Sequence, residues 1–192
     1  MQLDELPEKE IIDAVKAGDR AMWAEVIKKY YTALLNFSMG FTKEKESAEE
    51  LVQDVFVNVW SKRDYLNIDI SLRAYLYRAT RNHSLNYVKR RQFEFDYQKG
   101  LANSITPYKN EVEDTYRFNE IEQALNDAIE ALPTKRREIF KLSRYEDLTY
   151  KEIAEALEIP VRTVHYQIGL ALKDLRDKLK HLVDPSLMGG NQ

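Results

Sequence analysis

Residues 149–179 read TYKEIAEALEIPVRTVHYQIGLALKDLRDKL, and they combine two helical patterns with a very short connection. Thr149 and Glu152 form a capping box, which predicts the start of the first helix. Pro160 ends that helix and favours the start of a second one, whose apolar residues recur at helical spacing. The outward face of the second helix is polar and carries Arg162, Thr163, His165, Tyr166 and Gln167. This plan is a helix-turn-helix, although an ordinary hairpin of two helices would show the same apolar spacing.

The composition of the 192 residues favours an all-α fold. Only five prolines and six glycines are present, and no stretch alternates apolar and polar residues as a strand would. The chain has no cysteine, which excludes disulfides and thiolate metal sites and suits a cytoplasmic location. No apolar run approaches the ~18 residues that a membrane span needs, so we expect no stable membrane insertion.

The net charge of −3 hides a strong segregation, because residues 71–92 hold six basic and no acidic residues. Tyrosines and asparagines lie among these cations. The combination suits single-stranded DNA, since cations neutralise phosphates while rings stack on unpaired bases and amides read base edges. A basic amphipathic helix that binds a membrane surface or an acidic partner is the alternative interpretation.

Helix signals also mark the rest of the N-terminal half. Residues 7–17 read as a helix, and Asp19 is expected to cap the next one. The capping box Ser47-Ala48-Glu49-Glu50 predicts a helix from there to about Lys62. In residues 71–91 the apolar periodicity slips near residues 81–84, which predicts either a break in the helix or two different packing neighbours.

The chain is therefore expected to form two small helical domains joined by a flexible linker. Residues 1–92 form the first domain, and residues 93–118 lose helical periodicity and are interpreted as the linker. Residues 119–183 form the second domain, which ends in the helix-turn-helix. Residues 184–192 are expected to be a disordered tail.

Two DNA-suited segments on either side of a linker resemble one family, the extracytoplasmic-function (group 4) sigma factors of the bacterial RNA polymerase sigma-70 family. The similarity covers about residues 8–183. Residues 48–60 resemble region 2.2, residues 74–91 resemble regions 2.3 and 2.4, and residues 132–172 resemble region 4. The chain departs from the family at Glu158, where the turn of the helix-turn-helix usually has glycine.

The resemblance implies a sigma factor that docks on core RNA polymerase, recognises the −35 and −10 promoter elements and promotes DNA melting. The expected contacts with core polymerase are Glu50, Gln53, Asp54, Asn58 and Trp60. The expected contacts with −10 DNA are Tyr75, Arg78, Asn82, Asn86, Lys89 and Arg90. The expected contacts with −35 DNA are Arg162, Thr163, His165, Tyr166 and Lys173. The implied partners are the clamp coiled-coil and the flap of core polymerase, promoter DNA as duplex and as melted strand, and an anti-sigma factor.

Two other classes of function are weaker. A helix-turn-helix transcriptional regulator with a helical sensor domain would explain residues 119–183, but not residues 48–60 or 71–91. An enzyme is disfavoured because the three histidines are dispersed, and the chain has no glycine-rich phosphate loop and no H-E-x-x-H motif. We therefore expect no catalytic residue, no metal and no other cofactor.

Overall fold

The computed structural model describes Leu3 and residues 6–68, 70–99 and 118–180. All regular structure in these ranges is helical, as the sequence predicts, and it includes one short 3₁₀ turn at Arg63–Tyr65. The α-helices in chain order are α1 (Glu8–Lys16), α2 (Arg20–Thr42), α3 (Lys45–Ser61), α4 (Leu72–Lys99), α5 (Phe118–Glu130), α6 (Thr134–Arg144), α7 (Tyr150–Leu157) and α8 (Val161–Leu179). None of these described helices is both long enough and apolar enough to cross a membrane.

The starts of α2 and α3 show how capping residues set helix boundaries. Asp19 caps α2 as predicted, because its carboxylate accepts hydrogen bonds from the backbone N–H groups of Ala21 and Met22 at 2.9 and 3.0 Å. The predicted start of α3 at Ser47 is wrong: the helix begins at Lys45, and Glu44 is its N-cap. The hydroxyl of Ser47 instead donates to the Glu44 carboxylate at 3.0 Å, so a side-chain contact replaces the expected backbone cap.

Helix α4 is one continuous helix across the predicted phase slip. It packs against two neighbours, α2 and α3, which is the second of the two predicted outcomes. Ser71 caps its start by accepting from the N–H of Ala74, and Glu8 accepts from the N–H of Leu72 at 2.7 Å. The helix runs through residues 93–99, whereas the loss of periodicity predicts a linker that begins at residue 93. No proline or glycine interrupts the helix before position 100.

The corner between α7 and α8 spans residues 158–160. Glu158 has a φ of 55°, the left-handed conformation that the family's usual glycine would adopt without steric cost. Pro160 precedes the first residue of α8 with φ −61° and ψ 141°, so the predicted helix start is confirmed. The corner therefore keeps the left-handed geometry of a glycine turn, with a non-glycine residue held in it.

The described helices group into two compact units. The first contains α1–α4 together with residues 151–157 of α7, and the second contains α5, α6 and α8 together with Tyr150, the first residue of α7. The sequence pattern predicts the whole of α7 in the second group, within residues 119–183. The functional domain boundaries stay a prediction, and residues 100–117 of the linker and the predicted tail lie outside the described residues.

Each unit has its own apolar core. In the first unit Trp23 meets Phe56 edge-to-face, with ring centroids 5.8 Å apart. Leu34 and Val52 in the same unit are fully buried. In the second unit α8 buries its apolar stripe against α5 and α6. That stripe consists of Val164, Ile168, Ala171 and Leu175.

Candidate nucleic-acid interface

The predicted contacts with −10 DNA lie on one face of α4. They occupy a band of about 120° around the helix and about 22 Å along it, given 3.6 residues per turn and 1.5 Å per residue. Tyr75, Arg78 and Asn82 are partly buried, whereas Asn86, Lys89 and Arg90 are exposed. The guanidinium of Arg78 lies 5.5 Å from the centre of the Tyr75 ring, a cation–π contact. The continuity of α4 therefore joins residues on both sides of the phase slip into one surface.

A groove between α3 and α4 runs beside this face and contains two cavities. One, of about 300 Å³, is lined by Glu50, Leu51, Asp54, His83, Asn86, Tyr87 and Arg90. The other, of about 260 Å³, is lined by Val55, Asn58, Val59, Lys62, Tyr75, Arg78, Ala79, Asn82 and His83. The groove therefore has predicted polymerase contacts on its α3 wall and predicted −10 contacts on its α4 wall. We call it the α3/α4 groove.

Two cations of the basic segment are held in ion pairs within the first unit. Arg73 binds the Glu152 carboxylate at 2.7 Å, and the hydroxyl of Ser71 donates to the same carboxylate at 2.8 Å. Arg91 binds Glu44 at 2.6 Å. Neither arginine is among the predicted −10 contacts.

The predicted polymerase contacts Glu50, Gln53, Asp54 and Asn58 share the exposed face of α3. Glu50, Asp54 and Asn58 line the groove, whereas Gln53 does not: it lies about 60° round the helix from Glu50, on the outer side of the exposed face, next to Val57, which is 62% exposed. Trp60 is partly buried, and its ring stacks on Trp23 at 5.6 Å between centroids. The Arg63 guanidinium lies 4.8 Å from the centre of the Trp60 ring and donates to its backbone carbonyl at 3.0 Å. Trp60 is thus part of the packing of the first unit as well as a candidate contact.

Most of the predicted −35 contacts share the exposed face of α8. Arg162, Tyr166 and Lys173 are exposed and lie opposite the buried stripe, and His165 is exposed at one edge of this face. Thr163 lies at the edge of this face and is partly buried. Gln167 points elsewhere, since its side-chain oxygen accepts a hydrogen bond from Arg136 on α6 at 3.2 Å. We define the α8 face as the exposed residues Arg162, His165, Tyr166, Gly169 and Lys173.

Sequence reasoning missed two side chains that the fold brings to the groove. His83 lines both cavities, and Lys62 lines the smaller one from the end of α3. No sequence signal singles them out, because their position follows from how α3 packs against α4. Among the described residues no three His, Cys, Asp or Glu side chains come together as they would around a metal ion.

Two family models match the chain in the order that the sequence motifs predict. The model described as Sigma-70 region 2 matches residues 26–94, and that described as Sigma-70, region 4 matches residues 122–175. Together they span more than half of the chain. A regulator with a sensor domain is not favoured, because the region 2 match covers the segment where such a sensor would lie.

Curated relatives resemble the chain over almost its whole length. The "ECF RNA polymerase sigma factor SigW" of Bacillus subtilis is 25% identical, with 91% of this chain and 97% of the relative covered. The "ECF RNA polymerase sigma factor RpoE" of Cereibacter sphaeroides is 26% identical, with 84% and 88% covered. Neither relative carries a long additional segment outside the matched region.

Solved structures agree in fold. CnrH, solved in complex with the cytosolic domain of CnrY, superimposes with a TM-score of 0.62 at 20% identity and covers 91% of this chain and 97% of its own. The sigma factor RpoE from Bartonella quintana, solved with the anti-sigma factor NepR, gives a TM-score of 0.60 at 22% identity. That match covers 82% of this chain and 96% of RpoE.

Regions 2 and 4 thus match in order, the two relatives are similar over 91% and 84% of this chain, and the fold agrees with that of solved sigma factors. The chain belongs to the sigma-70 family and is an RNA polymerase sigma factor of the extracytoplasmic-function group.

Proposed function

We propose that this sigma factor holds the melted strand of the −10 element along α4 and in the α3/α4 groove. The observation that carries the proposal is that all six predicted −10 residues share one face of a single continuous helix. A strand laid along that face would meet cations, an aromatic ring and amide groups within about four helical turns. The two cavities of the groove offer room beside it for bases that leave the stack.

The energetics suit an unpaired strand. Unstacking a base costs a few kcal/mol, and stacking on an aromatic side chain returns ~1–3 kcal/mol per base. Tyr75 supplies such a ring, with Arg78 beside it. Lys89 and Arg90 are exposed cations that would neutralise phosphates, which makes binding sensitive to salt. Asn82 lines the smaller cavity and has the donor and acceptor needed to read a base edge.

Core polymerase is proposed to dock on the outer side of α3. Gln53 supplies hydrogen bonds there, and the exposed Val57 supplies apolar contact next to it. Glu50, Asp54 and Asn58 would contact the clamp coiled-coil from the rim of the groove. The roles of these residues and of Trp60 stay predictions.

The α8 face is proposed to enter the major groove of the −35 element. A recognition helix presents the side chains of its N-terminal turns to base edges, and Arg162, His165 and Tyr166 are exposed polar side chains in these turns. Lys173 lies further along the same face, where it would meet phosphate. The second unit would also contact the flap of core polymerase.

The setting of this activity follows from the family. The protein would act in the cytoplasm, where RNA polymerase initiates, and would bind and melt DNA without catalysing a reaction. An anti-sigma factor is proposed as its regulator, supported by the fold it shares with CnrH and RpoE, each solved with a partner protein. Such a partner would prevent initiation if it covered the outer side of α3 or the α8 face.

Run-off transcription with core polymerase of the source bacterium, followed by sequencing of the start sites, tests the proposal. The purified chain should direct initiation at promoters with common −35 and −10 sequences. Asn82→Ala should relax selection at a single −10 position, because a well-placed pair of hydrogen bonds to a base is worth about 1–3 kcal/mol of discrimination. Selection at −35 should stay unchanged.

Asn36→Ala is the matched control, since Asn36 is exposed on α2, away from the groove. It should leave selection at every position as in the wild type. If Asn82→Ala weakened initiation from all promoters equally, Asn82 would have no reading role. If the wild-type chain started no transcription with core polymerase, the proposed function would be wrong.

A further inference from the structure

The side chain of His165 on the α8 face contacts another aromatic ring. Its ring meets the ring of Tyr150, the first residue of α7, with centroids 4.5 Å apart and planes at 90°. This is the edge-to-face geometry that aromatic pairs prefer. Tyr150 is partly buried, whereas His165 is exposed. The partly buried ring of Tyr150 thus packs against the solvent-exposed ring of His165.

Such a contact restricts the orientation of the histidine. An exposed side chain normally exchanges between staggered rotamers, and in an imidazole the two nitrogens point in different directions in each of them. An aromatic pair is worth about 0.5–1.5 kcal/mol, which is enough to favour one rotamer over the others. The direction in which His165 offers an N–H to DNA is therefore set before DNA arrives.

The position of His165 makes this orientation relevant to base reading. His165 lies in the second turn of α8, at the edge of the exposed face and one turn after the exposed Arg162. An imidazole N–H is a hydrogen-bond donor, and guanine, adenine and thymine all expose acceptors in the major groove. Which acceptor is reached depends on the direction of the ring, because a hydrogen bond weakens steeply away from linearity.

We propose that Tyr150 is the positioning residue for His165, so that base selection at one −35 position depends on a residue outside the recognition helix. The inference rests on the proposed −35 role of the α8 face. Tyr150 acts through its ring, which packs against the imidazole, and its hydroxyl is not needed for this. A ring lost at position 150 leaves His165 in place but free to choose among its rotamers.

The test uses the full chain bound to core polymerase and a promoter library randomised across the −35 element. Bound promoters are sequenced, and selection is scored position by position. His165→Ala identifies the base pair that the histidine reads. Tyr150→Leu removes the aromatic ring and keeps an apolar side chain of similar reach, and Tyr150→Phe keeps the ring and removes the hydroxyl.

Tyr150→Leu should reduce discrimination about two- to tenfold at the base pair identified by His165→Ala, and at no other. Tyr150→Phe should keep the wild-type discrimination. In the His165→Ala background, Tyr150→Leu should have no further effect on selection, because the residue it positions is gone. Thermal unfolding of each variant shows separately how far the substitution disturbs folding.

Several results would overturn the proposal. One is that Tyr150→Leu leaves selection unchanged or lowers it equally at every position, as loss of packing alone would do. Another is that Tyr150→Phe loses as much discrimination as Tyr150→Leu, which would assign the effect to the hydroxyl. If the wild type selects a −35 sequence but His165→Ala relaxes no position, only this inference fails; if the wild type selects no −35 sequence, the proposed function fails.

Discussion

Glu44 shows at the scale of single residues how one carboxylate organises its neighbours. It accepts hydrogen bonds from Arg91 at 2.6 Å and from Ser47 at 3.0 Å, and the hydroxyls of Ser47 and Tyr87 lie 2.7 Å apart. The hydrogen bond from Arg91 is the main cause that lowers the pKa of Glu44 from its ordinary value of 4.5. The same bond raises the pKa of Arg91. This network ties the start of α3 to α4 beside the groove.

Glu44→Gln should make the stability of the protein less sensitive to acid. Because the folded-state pKa of Glu44 is lowered, its stabilising contribution is present above about pH 4.5 and is lost as the pH falls through the folded-state pKa. Wild-type protein should therefore lose more thermal stability than the variant between pH 6 and about pH 3. The difference should be small, since both side chains are about half exposed.

The matched control is Glu46→Gln, which removes an exposed carboxylate from the first turn of the same helix. It should retain the part of the acid response that depends on Arg91. If the unfolding temperatures of the wild type and of Glu44→Gln changed by the same amount at every pH, the Glu44–Arg91 pair would add nothing to stability.

At the scale of helices, function depends on which faces of each helix are exposed to solvent. Helix α4 presents a polar and cationic face because its apolar residues pack against α2 and α3. Helix α8 buries one stripe and exposes the opposite one, with Gly169 in the middle of the exposed face. A glycine there gives the helix a flat spot where another surface can approach its backbone closely.

Gly169→Ala should stabilise the fold and weaken binding to −35 DNA. Alanine in a helix interior is about 0.5–1 kcal/mol more favourable than glycine, and a methyl group at position 169 meets no atom within 4 Å. On the α8 face that methyl would lie between the helix and the DNA. The measurements are thermal unfolding and binding of the polymerase-bound chain to promoter duplex.

Gly40→Ala provides the comparison, because Gly40 lies in the last turn of α2 and an added methyl there also meets no atom within 4 Å. It should raise stability by at most a similar amount and leave DNA binding unchanged. If Gly169→Ala and Gly40→Ala bound the promoter with equal affinity, the α8 face would not be part of the interface with DNA.

At the scale of the whole molecule, the predicted −10 contacts and the predicted −35 contacts lie in separate parts of the sequence. Residues 100–117 connect the described ranges and reach at most about 60 Å when fully extended. This is less than the roughly 90 Å that the longer predicted linker would allow, because α4 continues through residues 93–99.

Deleting residues 106–111 should favour promoters with a shorter spacer between the −35 and −10 elements. The deletion shortens the reach by about 20 Å, which corresponds to roughly six base pairs of duplex at 3.4 Å each. Run-off transcription on promoters that differ only in spacer length measures the preferred spacing. Replacing the same residues with Gly and Ser keeps the length and should keep the wild-type spacing. An unchanged optimum after the deletion would show that the linker does not limit the reach.

The sequence by itself determined the helical class, the order of the segments and the faces of single helices. Capping residues, proline positions and apolar spacing act over a few residues, so Asp19, Pro160 and the stripe of α8 could be predicted directly. Local pattern was not sufficient at Ser47, where a contact with Glu44 replaced the expected cap.

Only the tertiary structure decided which of these faces meet. It placed α3 beside α4, so that His83 and Lys62 joined the groove, and it paired Arg73 with Glu152 across 79 positions of the sequence. It also brought the rings of Tyr150 and His165 together. The physical reason is that helical periodicity records which side of a helix avoids water, whereas the identity of the partner follows from how the helices pack.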